Sequence, residues 1–346
     1  MTVIEIYCSI NKAKQTTAGS LNVAFEIENR SDVAVRVMKR GTPLEGLLTD
    51  CLIVTANGNR FHYEGRVGKR RPPDESDFVL LTPGEKVANI VDVTRAYAIP
   101  GNAQVEIRFN ETRLLIEPLE ENAADHEIII TNKPLTLTTP QLPLPTEKAL
   151  KPTTEAATDF LEQIGLKGLF KTLGLVEKLN PPRFTGGDGA QKKAVLAAHK
   201  KAYEMIKTSI KRLEMAMDLP FKTWFDDDPT EDRLAFVLEN FRKIKKGMEQ
   251  RNFTYSFSTY GCGPTDYAWT RTGETTIWLC NGFWEAPATG MSSKAGTIVH
   301  EHGHCSAMLE DYDYGEAYCK MLAKRYPIKA MTSAENYEFY AESVSS

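Results

Sequence analysis

Thr297-Ile298-Val299-His300-Glu301-His302-Gly303-His304 is the stretch that decides the fold of this chain. It carries the H-E-x-x-H pattern, with His300 and His304 four residues apart and Glu301 directly after the first. On a helix such residues share one face, so both imidazoles can reach one metal ion. Glu301 then stands beside the metal and can take a proton from water. Zinc suits this donor set and lowers the pKa of a bound water towards ~7. The apolar Ile298 and Val299 fit a buried helix. His302 falls off the metal-binding face of a regular helix and is expected to be structural, or to support a ligand from behind. A catalytic zinc needs a third protein ligand and one open position. Glu310, Asp311 and Asp313 are the candidates, and spacing does not choose among them. The run Glu310-Asp311-Tyr312-Asp313 also fits a solvated acidic turn.

The segments before the motif are helical in period. Val195, Ala202, Ile206, Ile210, Leu213 and Met217 recur at helical spacing, as do Leu234, Val237, Phe241, Ile244 and Met248. The second helix is expected to start at Asp228 as N-cap, with Pro229 at N1 and Glu231 at N3. Residues 253 to 284 turn aromatic and β-branched, which predicts a small hairpin or sheet. Further upstream, Asn180-Pro181-Pro182 and Gly186-Gly187-Asp188-Gly189 mark a break. Residues 155 to 179 regain apolar content and predict short helices. Pro134, Pro140, Pro143, Pro145 and Pro152 make the region before them extended linker.

The first 118 residues read as β-structure. Leu21, Val23, Phe25 and Ile27 alternate with polar residues, and Gln104-Val-Glu-Ile-Arg-Phe does the same. Asn57-Gly58 between two β-prone runs is a hairpin signal. Many short strands at this spacing predict an immunoglobulin-like sandwich. The fold class expected is therefore α+β and multidomain. A β-sandwich over 1–118 and a Pro-rich linker with short helices over 119–188 precede a mainly α-helical, zincin-type metalloprotease domain with a small β-hairpin or sheet over 189–346.

A chain of 346 residues with 42% hydrophobic and 25% charged residues is ordinary globular protein. A net charge of −4 gives no reason to expect nucleic acid or an anionic membrane as partner. No apolar run approaches the ~20 residues that span a bilayer. The start, Met1-Thr-Val-Ile-Glu-Ile-Tyr-Cys, lacks a basic region followed by an apolar stretch, so no Sec signal is expected in it. None of the six cysteines forms a CxxC pair, so a cysteine-based zinc site is not expected. Cys262 and Cys280 flank the predicted hairpin and are the most pairable couple.

The C-terminal half resembles the aspzincins, the deuterolysin and peptidyl-Lys metalloendopeptidase family. Those enzymes combine H-E-x-x-H with G-T-x-D-x-x-Y-G, and here Asp311, Tyr314 and Gly315 match the second motif while Met308-Leu309 replaces Gly-Thr. Thr223-Trp224-Phe225, Tyr255-Ser-Phe, Leu279-Cys280, Phe283-Trp284-Glu-Ala-Pro, Thr289-Gly290, Ala295-Gly-Thr-Ile-Val-His-Glu and Ala334-Glu335-Asn336-Tyr337-Glu338-Phe-Tyr-Ala-Glu342 extend the resemblance over roughly 189 to 346. It implies one zinc per chain on His300, His304 and Asp311, with Glu301 as general base and Tyr314 stabilising the oxyanion. It implies a Cys262–Cys280 disulfide. It also implies that Glu335 and Glu338 bind a lysine following the scissile bond, although Thr332 and Glu335 also read as a capping box. Thr42-Pro-Leu-Glu-Gly-Leu, Gly68-Lys-Arg, Pro83-Gly-Glu and Val91-Asp-Val-Thr-Arg-Ala-Tyr resemble the β-sandwich prodomain of secreted bacterial aspzincins. That implies an exported proenzyme acting on proteins or peptides, with its own N-terminal domain as intramolecular inhibitor. The expected activating cut lies between about 145 and 193, where Lys148, Lys151, Lys167, Lys171 and Lys178 offer sites. A broad-specificity deuterolysin-type protease is the alternative within enzymes, and a β-sandwich binding protein with a degenerate zinc fold the alternative outside them.

Overall fold

The computed structural model describes residues 2–15, 19–119, 126–139, 155–156, 179–215, 219–312 and 314–345. The chain divides into two units, one of residues 1–66 and 73–149, the other of 67–72 and 150–346. The short stretch 67–72 thus leaves its sequence neighbours and joins the second unit.

The first unit is β-rich. The strands β1 (Thr2–Lys12), β2 (Asn22–Asn29), β8 (Lys86–Asp92) and β11 (His126–Lys133) form a sheet in the order β11-β1-β2-β8. The strands β3 (Val35–Met38), β7 (Phe78–Leu81) and β10 (Ile116–Pro118) form another, ordered β10-β3-β7. A third holds β4 (Leu52–Ala56), β5 (Asn59–Phe61), β9 (Gln104–Phe109) and β12 (Leu135–Thr138), ordered β12-β9-β4-β5. Alternation sets which side each strand buries: Val105, Ile107 and Phe109 of β9 face a core with Val23, Phe25 and Ile27 of β2. Asn57 and Gly58 both take positive φ, 49° and 80°, which closes the β4–β5 hairpin. Two strands of this unit fall where the sequence reading placed linker. β11 pairs in parallel with β1 and β12 antiparallel with β9, so β-structure runs beyond residue 118. Proline frequency misled there, because Pro134 separates two strands rather than ending the strand region.

The second unit is helical around a sheet. Its helices are α1 (Gly189–Met215), α2 (Leu219–Trp224), α3 (Glu231–Gln250), α4 (Asn281–Glu285), α5 (Lys294–His302), α6 (Glu316–Arg325), α7 (Pro327–Ala330) and α8 (Ala334–Ser343). The sheet runs β13-β14-β15-β17-β16-β6, with β13 (Glu155–Ala156), β14 (Arg183–Thr185), β15 (Thr254–Ser256), β17 (Thr276–Leu279), β16 (Ala268–Arg271) and β6 (Arg66–Val67). β16 and β17 form the expected hairpin, and the parallel β15 and β14 widen it into a mixed sheet. The periodic residues are buried: Val195, Ala202, Ile206 and Leu213 on α1, and Val237, Phe241, Ile244 and Met248 on α3, pack with Ile298 and Val299 of α5. Met217 and the helices expected between 157 and 178 lie outside the described residues.

One helix start differs from its prediction. The N-cap of α3 is Thr230, whose hydroxyl accepts from the Arg233 N–H, and not Asp228. Pro229 stands before the cap, and nearby Asp226 is drawn instead to the Arg233 guanidinium.

Cys262 and Cys280 form a disulfide. Cys8, Cys51, Cys305 and Cys319 are buried and not disulfide-bonded, and burial pushes the Cys8 and Cys305 thiols up to about 12. No described helix is long and apolar enough to cross a membrane.

Candidate active site

Helix α5 begins at Ser293, whose hydroxyl accepts from the Gly296 N–H at 2.9 Å. Glu342 on α8 anchors that cap, accepting the Ser293 N–H at 2.9 Å and its O–H at 2.8 Å. Gly296 lets α5 and α8 approach: a Cβ there would lie 2.0 Å from Glu342 Oε1 and 2.8 Å from Glu338 Oε1. After His302 the helix widens into a π turn, Gly303–Ala307, and stops at Met308 with φ 58°. The Arg251 guanidinium ties this turn to β-structure, donating to the carbonyls of Cys305 and Gly273. Gly247 of α3 makes room for it, since a Cβ there would meet Ser306 Oγ at 2.1 Å.

This backbone brings His300, His304 and Asp311 together, all buried. His300 Nε2 lies 3.0 Å from His304 Nε2. Asp311 Oδ1 lies 3.0 Å from the first and 3.2 Å from the second. The opposite ring nitrogens settle the tautomers. His304 Nδ1 is 2.7 Å from the Leu309 carbonyl, which can only accept, so Nδ1 carries the proton and Nε2 presents a lone pair. His300 Nδ1 faces Glu335 Oε2 at 3.1 Å, which favours the same tautomer. Two imidazole lone pairs and a carboxylate oxygen converging in a dry site repel one another unless a cation lies between them. These residues therefore fit a divalent ion taking nitrogen and oxygen ligands, as zinc does. Glu310, the neighbouring candidate, is held by its backbone between Thr332 and Ala334 and is not in this group. Asp313 lies outside the described residues.

His302 points elsewhere. Its Nε2 meets the Tyr255 hydroxyl at 3.0 Å, and that hydroxyl meets His199 Nδ1 at 2.8 Å. Burial holds the His302 imidazole well below its usual range, helped by His199 and Arg251.

Glu301 is fully buried beside the three donors. Burial raises its carboxyl to about 7, against the opposing pull of His300 and His304. Oε1 accepts the Lys69 N–H at 2.8 Å, while Oε2 accepts no hydrogen bond among the described residues. The Tyr314 hydroxyl donates to the Gly68 carbonyl at 3.0 Å.

Glu335 and Glu338 sit one turn apart on α8, and both are buried. Between them stands the Lys69 ammonium, 3.2 Å from Glu335 Oε2 and 2.7 Å from Glu338 Oε1. Burial alone would lower the lysine pKa, but Glu335 and Glu338 outweigh it and hold the ammonium above its usual range. Glu335 also accepts the Gly315 N–H at 3.2 Å. It does not cap α8: Ser333 is the N-cap, without a side-chain cap bond. The capping-box reading of Thr332 and Glu335 therefore fails, because the carboxylate turns inward to a cation.

Lys69 was missed as a site residue, although Gly68-Lys-Arg was among the resemblances noted. Glu342 closes the Ala334-to-Glu342 stretch of the resemblance, but nothing in its spacing assigned it a role.

A family model described as lysine-specific metallo-endopeptidase, the aspzincins, matches residues 216–342. A peptidyl-Lys metalloendopeptidase of Pleurotus ostreatus is 32% identical over 128 residues, 35% of this chain and 72% of that protein. The chain belongs to the aspzincin family. It is a zinc-dependent metalloendopeptidase acting on proteins or peptides. The similarity reaches past the peptidase region of this aspzincin: an extracellular protease of Aeromonas hydrophila is 27% identical over 305 residues, 85% of this chain and 80% of that protein. A solved zinc peptidase from Grifola frondosa is 28% identical and covers 45% of this chain and 96% of its own, with a TM-score of 0.42.

Proposed function

We propose that this aspzincin is an exported, latent endopeptidase that cuts before lysine, with one zinc on His300, His304 and Asp311. Zinc held there supplies Lewis acidity and lowers the pKa of water towards ~7. Glu301 acts as general base on that water and then returns the proton to the leaving nitrogen. Its buried Oε2, which accepts no hydrogen bond among the described residues, is the oxygen available for this. The Tyr314 hydroxyl donates to the carbonyl oxygen as negative charge develops on it.

One observation carries the specificity: the buried Lys69 ammonium between Glu335 and Glu338. A desolvated ammonium is tolerated only where carboxylates pair with it, and this pocket does so with two. A substrate lysine would find the same partners. The same contact supports latency, because while Lys69 stands there no other lysine can enter, and a tethered group competes at high effective concentration. We read the N-terminal β-rich unit, whose strands run on to β12, as an immunoglobulin-like prodomain, with the peptidase domain over 189–346. The Aeromonas relative named an extracellular protease and the disulfide both support export. The lysines at 148, 151, 167, 171 and 178, offered for an activating cut, lie outside the described residues.

The test is cleavage of a denatured protein mixture by nicked enzyme, with new N-termini read by mass spectrometry. Lysine should lead the new termini, and an unbiased set would overturn the specificity. Glu301→Ala should keep about one zinc per chain and lose on the order of 10²–10⁴ in turnover. Asp311→Ala should lose zinc, which metal analysis after dialysis would read; full zinc retention would remove Asp311 from the ligand set.

A further inference from the structure

Residues 67–72 continue from β6 and cross the active site within the second unit. The Tyr267 N–H donates to the Lys69 carbonyl at 2.9 Å, and the Arg71 N–H donates to Thr265 at 2.8 Å. Arg70 bridges antiparallel to Asp266. The segment is therefore added to the sheet edge as a peptide ligand would be. The contacts around one peptide bond are specific in kind. The Gly68 carbonyl receives the Tyr314 hydroxyl at 3.0 Å, and the Lys69 N–H points at Glu301 Oε1 at 2.8 Å. The Gly68 N–H donates to Asp311 Oδ2 at 2.7 Å, and the Lys69 side chain fills the carboxylate pocket. A bond about to be hydrolysed needs its carbonyl on the oxyanion donor, its nitrogen on the group that will protonate it, and the following side chain in the specificity pocket. Gly68–Lys69 has all three. The fit is also particular to glycine: a Cβ on Gly68 would lie 2.3 Å from the Ala268 carbonyl oxygen and 2.4 Å from Trp269 Cα.

We infer that Gly68–Lys69 is a self-processing site, the bond this enzyme cuts first and in its own chain. This inference rests on the reading of the site proposed above. Water adds its oxygen to the Gly68 carbonyl carbon, and Glu301 passes its proton to the Lys69 nitrogen. The C–N bond breaks, leaving a Gly68 carboxylate and a Lys69 α-amine. The reaction needs no partner molecule, because the bond is already positioned against the catalytic groups.

The experiment starts from metal-depleted full-length chain, to which zinc is added. Intact mass and N-terminal sequencing follow the products, and an added lysyl peptide reports activity on other substrates. A fragment beginning at Lys69 should appear first, with a rate constant unchanged over a hundredfold range of protein concentration. Glu301→Gln should stay intact, and Gly68→Ala, which displaces the strand but spares the lysine, should slow the cut at least tenfold. A second readout needs no turnover. In the Glu301→Gln background, adding Lys69→Ala should tighten binding of a fluorescein-labelled lysyl peptide at least tenfold. Zinc-loaded chain that cuts the added peptide but never yields the Lys69 terminus would overturn the inference and leave the endopeptidase standing. Failure to cut either would overturn both. A rate proportional to protein concentration would overturn cleavage within one chain, and equal peptide binding by the two variants would overturn occupancy of the pocket by Lys69.

Discussion

Glu335 and Glu342 lie on one helix and are both buried, yet their charges are treated in opposite ways. Burial raises the Glu335 carboxyl, but Lys69, His300 and the Gly315 N–H together outweigh it and hold the group below its usual range. For Glu342 the same ammonium counts for less. Burial pushes its carboxyl up to about 8, the charge of Glu338 adds to this, and the N–H and O–H it accepts from Ser293 only partly offset it. In the unfolded chain the same group titrates near 4.5. As pH rises from about 4.5 to about 8, the unfolded state gives up this proton before the native state does, so stability falls across that window. Glu342→Gln keeps an acceptor for Ser293 and should flatten this fall. Denaturant melts at pH 5 and pH 8 would check it, and an unchanged difference between the two would exclude Glu342 as the source.

At the scale of elements, the active site is shaped by where helices are allowed to touch. The i, i+4 spacing of His300 and His304 survives although the second histidine sits in a π turn and not in a regular helix. That turn packs on α3 at Gly247. Gly247→Ala would improve helix propensity by about 1 kcal/mol, yet its Cβ would collide with Ser306. The collision should win, because overpacking a tight contact costs about 1–3 kcal/mol. We expect a lower melting temperature and weaker zinc retention, since the strain falls on the turn carrying His304; an alanine variant more stable than the parent would exclude this packing. Periodicity found α1 and α3, and aromatic and β-branched content the β16–β17 hairpin, because both are local properties of the chain. The α3 cap was misplaced by two residues, since Asp228 and Thr230 are both good caps and only the Arg233 N–H distinguishes them.

At the scale of the molecule, the second unit is closed by a covalent tie. Cys262 and Cys280 are 18 residues apart, and closing a loop of that size stabilises a fold by about 3 kcal/mol. Replacing both by serine should lower stability by about that amount while leaving lysine preference intact, because neither cysteine is among the contacts of Lys69. Urea unfolding beside cleavage-site mapping would separate the two effects, and loss of preference without loss of stability would contradict this division.

Much of this protein was determined by sequence alone. The H-E-x-x-H spacing, the helical stripes and the alternating strands are patterns within one or two turns of chain, and side-chain chemistry reads directly from them. Tertiary structure decided what depends on the path of the chain. Lys69 and Glu335 are 266 residues apart, and no local pattern says that one fills the other's pocket. Asp311 joins the histidines and Glu310 does not, because a backbone pairing with Thr332 and Ala334 aims one carboxylate inward and leaves the other out. The physical reason is common to both cases. A buried charge can form only where its partner arrives, and its arrival is fixed by the fold rather than by neighbours in sequence.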